Sequence, residues 1–341
     1  VAKTALTPAA KAPAQSPARR RVLGSASRLT LLIWGLAILA VASIVLFLSW
    51  DLLGNISFAL RLRGTRVGAM ILCAVAVAVS TLAFQTVTAN RILTPSIMGM
   101  DALYTLLQTV MVFAFGAVAW TTAPDTARFG VELVLMVGFS LLLYRAMFTG
   151  RAGSLHLLLL VGIVLGTLFR GMAGLMQKLM DPSEFTMLQD LFFASFNRVD
   201  PPLLGLGAVV VAACVVVIWR MRHTLDVMAL GRDTAVGLGV DHRRVVTTVL
   251  VVCSLLVATS TALVGPVTFF GLLVVSLAYR MAAGADHGQL IVVASLLGVL
   301  TLVAGQFVVE QFAGNSTTLS VVVEFVGGIV FLILLLRGAL K

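Results

Sequence analysis

The side chains able to do chemistry are few in this 341-residue chain, and their grouping decides what is open to it. Cys73, Cys214 and Cys253 lie in separate apolar runs without metal-ligand spacing, where a thiol behaves as a small buried hydrophobe. His156, His223, His242 and His287 stand singly, with no HExxH or other paired spacing, and read as polar loop or span-end residues. No GxxxxGK[ST] loop is present to cradle nucleotide phosphates, and the GLG triplets at 205–207 and 237–239 lack the spacing and context for that task. No catalytic, cofactor-binding or metal-binding residue is therefore assigned. What remains is Leu225–Arg244, LDVMALGRDTAVGLGVDHRR, which gathers Asp226, Arg232, Asp233, Asp241, His242, Arg243 and Arg244 between two long apolar runs. Leu225, Met228 and Ala229, then Ala235, Leu238 and Val240, recur at helix-face spacing, while Gly231 and Gly239 punctuate two short helices. Such an element either presses against a soluble partner or rests on the bilayer surface, and both readings fit the residues.

The elements that must position this stretch are membrane spans. Sixty per cent of the residues are apolar, 11% are charged and the mean hydropathy is +1.08, which excludes a soluble domain. The net charge of +10 does not point to nucleic acid, because Lys and Arg sit in short loops and at span ends. Residues 1–28 are rich in Ala, Pro and Ser, hold Lys3, Lys11, Arg19, Arg20, Arg21 and Arg28 and no acid, and are expected to be disordered and cytoplasmic. Residues 29–341 then form one domain of ten spans, at 29–50, 66–88, 100–120, 129–148, 155–176, 202–219, 245–264, 267–283, 289–310 and 319–337. Apolar character continues past the signal-like Ala40-Val41-Ala42, so the first span is retained. The span at 267–283 follows Gly265-Pro266 and is expected to be short or broken. With the N-terminus inside, seventeen of the 24 Lys and Arg fall on inner segments, which places both termini and Leu225–Arg244 in the cytoplasm. Asp101, Glu132, Glu310 and Glu324 all lie near span ends or within about two turns of one, which argues against an ion-coupled carrier needing a group at mid-depth. Energy must then come from a separate ATPase.

Several motifs resemble one family. Ala229–Val240, ALGRDTAVGLGV, is similar to the coupling loop of the permease subunits of iron-siderophore ABC importers, the FecCD-type family that also includes the cobalamin permease. Arg63-Gly-Thr-Arg66 stands where the family has RLPR, and Asn90-Arg-Ile-Leu-Thr-Pro-Ser-Ile-Met-Gly99 resembles its NPLA-P-x-x-LG loop. Ala194-Ser195-Phe196 resembles GSF, and Gly265-Pro266-Val-Thr-Phe-Phe-Gly271 resembles GPIGFVG, although Ser276-Leu277 replaces Pro-His and Ser316–Ser320 replaces ELPVG. The departures look like the branch that imports catecholate, petrobactin- or anguibactin-like ferric siderophores. The resemblance runs from about residue 60 to 338 and implies an all-α, type II importer fold of about ten spans in a bacterial inner membrane. Its implied partners are two ATPase subunits carrying ATP and Mg, a second, non-identical permease and a substrate-binding protein; the cargo is a ferric siderophore.

The same resemblance implies roles for residues. From the residues alone Arg63 and Arg66 read as interfacial arginines snorkelling from a helix end, whereas the resemblance implies that they dock the binding protein. The family's third docking arginine is absent near Val309-Glu310, where Glu310 either accepts a basic group or is a solvated acid. Leu225, Met228, Leu230, Gly231, Arg232, Asp233, Ala235, Leu238 and Gly239 would form the ATPase coupling surface, with Leu230 and Leu238 as apolar anchors. Gln85, Asn90, Gly166, Gly265, Pro266 and Gly271 would belong to the pathway and its gates; a bulky chelate needs a wide conduit rather than metal ligands. Haem or cobalamin remains open as cargo, to be separated by uptake assays, and an ion-coupled carrier would lose uptake with the ion gradient rather than with ATP.

Overall fold

Backbone amides away from water must be satisfied within their own segment, and in the computed structural model, which describes residues 17–50, 56–148, 155–312 and 318–336, every regular element is helical. In order these are α1 (Pro17–Ser49), α2 (Ile56–Thr88), α3 (Met100–Phe115), α4 (Ala117–Thr122), α5 (Asp125–Phe148), α6 (Leu155–Leu179) and α7 (Pro182–Leu191). After them come α8 (Pro201–Arg220), α9 (Arg222–Met228), α10 (Arg232–Gly237), α11 (His242–Val264), α12 (Phe270–Met281), α13 (His287–Phe312) and α14 (Leu319–Leu336). Among the described residues α1, α2, α5, α6, α8, α11 and α13 are long and apolar enough to cross a membrane, and α3, α12 and α14 are shorter apolar helices. These ten occupy the ten expected positions.

Helices α2 and α11 form the central pillar: 78% and 72% of their membrane stretches are buried, against 17% for α1 and α6. Lipid supplies no hydrophobic drive between helices, so close approach through small side chains must do the work. On α2, Ala69, Ala74, Ala76 and Ala78 are fully buried, and a Cβ added to Gly298 of α13 would sit 3.2 Å from the Ala74 methyl. Buried polar contacts add direction, with Cys253 Sγ donating to the Ser80 carbonyl at 3.2 Å, Ser260 to Cys73 Sγ at 3.2 Å, and the Tyr144 and Ser254 hydroxyls 2.6 Å apart. Hydrogen bonds between membrane helices average about 0.6 kcal/mol.

Three elements differ from expectation. Helix α1 begins at Pro17, inside the segment expected to be disordered; Pro suits a first helical turn and the Ala-Arg-Arg-Arg-Val-Leu run that follows favours helix. Residues 1–16 lie outside the described residues. Helix α2 starts at Ile56, well before the expected Arg66, and its 33 residues span about 50 Å, beyond a hydrocarbon core of about 30 Å. The expected third span is broken at Gly116, whose φ of +84° lies in the left-handed region. The break folds α4 back so that Trp120 Nε1 donates to Gln108 Oε1 at 2.8 Å, and Gln108 Nε2 donates to Glu132 Oε1 at 2.7 Å. That chain satisfies buried groups of three helical segments at once.

Candidate functional site

The stretch singled out by sequence folds as a two-helix knuckle. The chain leaves α8 at Arg220, turns at Met221 into α9, and reverses at Gly231 (φ +99°) into α10 and at Gly239 (φ +86°) towards α11. A Cβ at either glycine would meet nothing within 4 Å, so the backbone angle rather than space selects glycine there. The Asp241 carboxylate accepts the Arg244 amide N–H at 3.1 Å and caps α11. Apart from the two bend glycines, the implied coupling residues divide into two sets. Leu225, Met228 and Ala235 are 1%, 5% and 0% exposed and face the body of the protein, so they seat the knuckle rather than meet a partner. Leu230, Val236 and Leu238 are 62%, 54% and 63% exposed, with Arg232 and Asp233 exposed beside them. Val236 belongs to this apolar tip and was missed because its position off the helix-face pattern hid it.

Behind the knuckle lies a partly buried polar link that no sequence motif announces. The Asp226 Oδ1 of α9 accepts the His287 backbone N–H at 2.9 Å and its Nδ1–H at 2.6 Å, and His287 Nε2 lies 2.8 Å from Thr86 Oγ1 on α2. His287 is 5% exposed. The link borders a cavity of ≈ 570 Å3 lined by Gln85, Asn90, Arg91, Asp226, Tyr279 and His287. There Gln85 Nε2 donates to the Arg91 carbonyl at 2.8 Å and the Arg91 guanidinium lies 4.7 Å from the Tyr279 ring centre. Asp286-His287 at the head of an apolar run was the available signal, since Asp286 also caps α13 by accepting the Gln289 N–H at 2.8 Å.

The arginine pair lies at the far end of α2. Arg66 and Thr86 are twenty residues apart on one helix, about 30 Å, so the arginines and the knuckle lie on opposite faces of a bilayer-thick body. Both arginines already have partners in the chain. Arg63 Nη1 donates to the carbonyls of Phe47 (3.2 Å), Leu48 (3.5 Å) and Trp50, closing the C-terminal end of α1. Arg66 Nη1 lies 3.5 Å from Glu310 Oε1 on α13, an oxygen that also accepts from Gln306 Nε2 at 2.9 Å. Glu310 is thus neither a free solvated acid nor unpaired.

Of the residues implied for the pathway, the glycines sit where helices and loops touch. A Cβ at Gly166 would lie 3.1 Å from the Gly99 Cα, and one at Gly271 would lie 2.2 Å from Thr81 Oγ1. Gly265 (φ +95°) would bring a Cβ within 2.9 Å of the Ala194 Cα, and Ser195 N–H donates to the Val264 carbonyl at 2.7 Å beside it. Close packing is therefore their observed use, while Pro266 is half-buried, Gln85 is buried and Asn90 is exposed. Among the described residues no group of three or more His, Cys, Asp or Glu is gathered closely enough to hold a metal ion.

The family model described as the FecCD transport family matches residues 26–337. The chain belongs to the FecCD transport family. It is a permease subunit of an ABC importer with the all-helical fold of that group. It is 46% identical over 299 residues to the petrobactin import system permease protein YclO of Bacillus subtilis (strain 168), covering 88% of this chain and 95% of that protein. It is 39% identical over 269 residues to the petrobactin import system permease protein FatC of Bacillus anthracis, covering 79% and 76%. The vitamin B12 import system permease protein BtuC of Vibrio cholerae is 29% identical over 302 residues, 86% of each chain. A solved ABC transporter of the metal-chelate type, in an inward-facing conformation, superposes with a TM-score of 0.79 at 21% identity, covering 91% of this chain and 99% of that one, which establishes a shared fold.

Proposed function

We propose that this FecCD-family permease carries a ferric siderophore of the petrobactin class across a bacterial cytoplasmic membrane, with ATP and Mg consumed by two separate ATPase subunits. The cargo rests on the 46% and 39% identity to two permeases named for petrobactin import. The mechanical part rests on the exposed Leu230, Val236 and Leu238 on a knuckle fixed from behind by Leu225, Met228 and Ala235. An apolar tip with a charged rim fits a cleft on a soluble partner, and one such cluster carries most of an interface's energy. ATP-driven closure of two ATPase subunits then levers the spans apart. Both termini and the knuckle lie in the cytoplasm, and Gly231 and Gly239 supply the bends.

On the opposite face a binding protein would engage the α1–α2 corner around Arg63 and Arg66, with its acids competing with Glu310 for Arg66. The exposed apolar faces of α6 (Leu160, Val164, Leu168, Leu175) and α14 (Phe325, Ile329, Leu332) would meet a second, non-identical permease and lipid. The packing positions Gly166, Gly265 and Gly271, with the half-buried Pro266 beside them, frame a conduit whose walls shift by helix sliding, with Gln85 and Asn90 at its inner mouth. The test is uptake by the complex purified from native membranes and placed in liposomes. Ferric petrobactin is taken up with internal-face ATP and uptake stops on ATP depletion. Uptake that persists without ATP and collapses with an ion gradient would overturn the reading, and selective uptake of haem or cobalamin would replace the cargo.

A further inference from the structure

We infer that the Asp226–His287–Thr86 link is the rod through which movement of the knuckle reaches the central pillar, with His287 as its positioning residue. The inference rests on the proposed docking of an ATPase at α9 and α10, and goes beyond it by naming how the push travels. Three elements meet at one imidazole: α9 through the Asp226 carboxylate, α13 through the His287 main chain, and α2 through the Thr86 hydroxyl.

Two properties separate this link from the apolar seat around it. Leu225 and Met228 hold α9 against the body by contacts that let helices slide. The hydrogen bonds through His287 are directional, and one joins its buried ring to the half-buried Asp226 carboxylate at 2.6 Å, a charge-assisted contact. Asp226 Oδ1 receives both the backbone N–H and the ring of His287, so α9 is tied to the first residue of α13 by two bonds rather than one. The far ring nitrogen reaches α2 two residues before its end, at the helix whose membrane stretch is the most enclosed of those crossing the body. A displacement of α9 is thereby shared between α13 and α2, and α2 carries it towards Arg66 and its partner Glu310, which itself lies on α13. Both struts that leave the imidazole are thus joined again at the opposite face.

Hydrogen exchange of the assembled complex, with and without ATP, tests this with Thr86→Val, which removes the hydroxyl at nearly constant volume, and His287→Asn, which keeps a donor towards Asp226 but cannot reach Thr86. In the unaltered complex ATP changes exchange at α9 and in the last turns of α2 together. In both variants the ATPase subunits still co-purify and the change at α9 persists, while that at α2 is lost and cargo moved per ATP falls about fivefold or more. Equal responses at α2 in the variants would overturn the rod, as would loss of ATPase co-purification, which marks a purely structural tie. No ATP response at α9 in the unaltered complex would instead overturn the docking reading beneath it.

Discussion

Leu238 and Leu225 are the same residue type thirteen positions apart, yet one is 63% exposed and the other 1%. The difference sorts the knuckle into a tip that meets a partner and a base that holds it. Leu238→Asp places a charge on the tip without touching the base, so membrane insertion and thermal stability stay unchanged and binding-protein-stimulated ATP turnover is lost; normal turnover in the reconstituted complex would remove Leu238 from the interface. At the other face the residue scale shows what already holds the arginine pair. Arg63 serves the end of α1 and Arg66 serves Glu310, so neither is an idle charge awaiting a binding protein. Sequence made the arginines visible by their motif. Their partners were invisible, because Phe47 lies 16 residues before Arg63 and Glu310 lies on another span entirely.

At the scale of elements, hydropathy located all ten apolar helices found among the described residues, since apolar runs of that length have few other uses. It did not locate the break at Gly116, because the reward for breaking is a polar chain of Trp120, Gln108 and Glu132 contributed by three segments. The same limit hid His287, whose partners lie 61 and 201 residues away in sequence. Helix crossings are sharper predictions. Gly271→Ala would place a Cβ 2.2 Å from Thr81 Oγ1 and 2.9 Å from Val77 Cγ1 where α12 meets α2. Overpacking of this kind costs about 1–3 kcal/mol, seen as a lowered melting temperature of the detergent-solubilised protein. Adding Thr81→Ala to that variant recovers part of the loss, whereas no drop at all would mean the crossing is loose.

The whole molecule is a polarised body, with arginines at one end of α2 and the knuckle at the other, about 30 Å apart. In the proposed orientation, which follows the distribution of basic residues, the knuckle faces the cytoplasm. Leu230→Cys, at a position 62% exposed, is therefore labelled by a membrane-impermeant maleimide only after cells are opened, and labelling of intact spheroplasts would invert the topology. One further consequence comes from α12. Its 12 residues reach about 18 Å, and the end of α11, before the irregular backbone that leads into it, leans on Ser195 for a partner to the Val264 carbonyl. A segment that short cannot be released into lipid by itself during synthesis. It has to wait beside the insertion machinery until its neighbours emerge, which makes the last third of the polypeptide a single unit of biogenesis rather than a series of independent stitches.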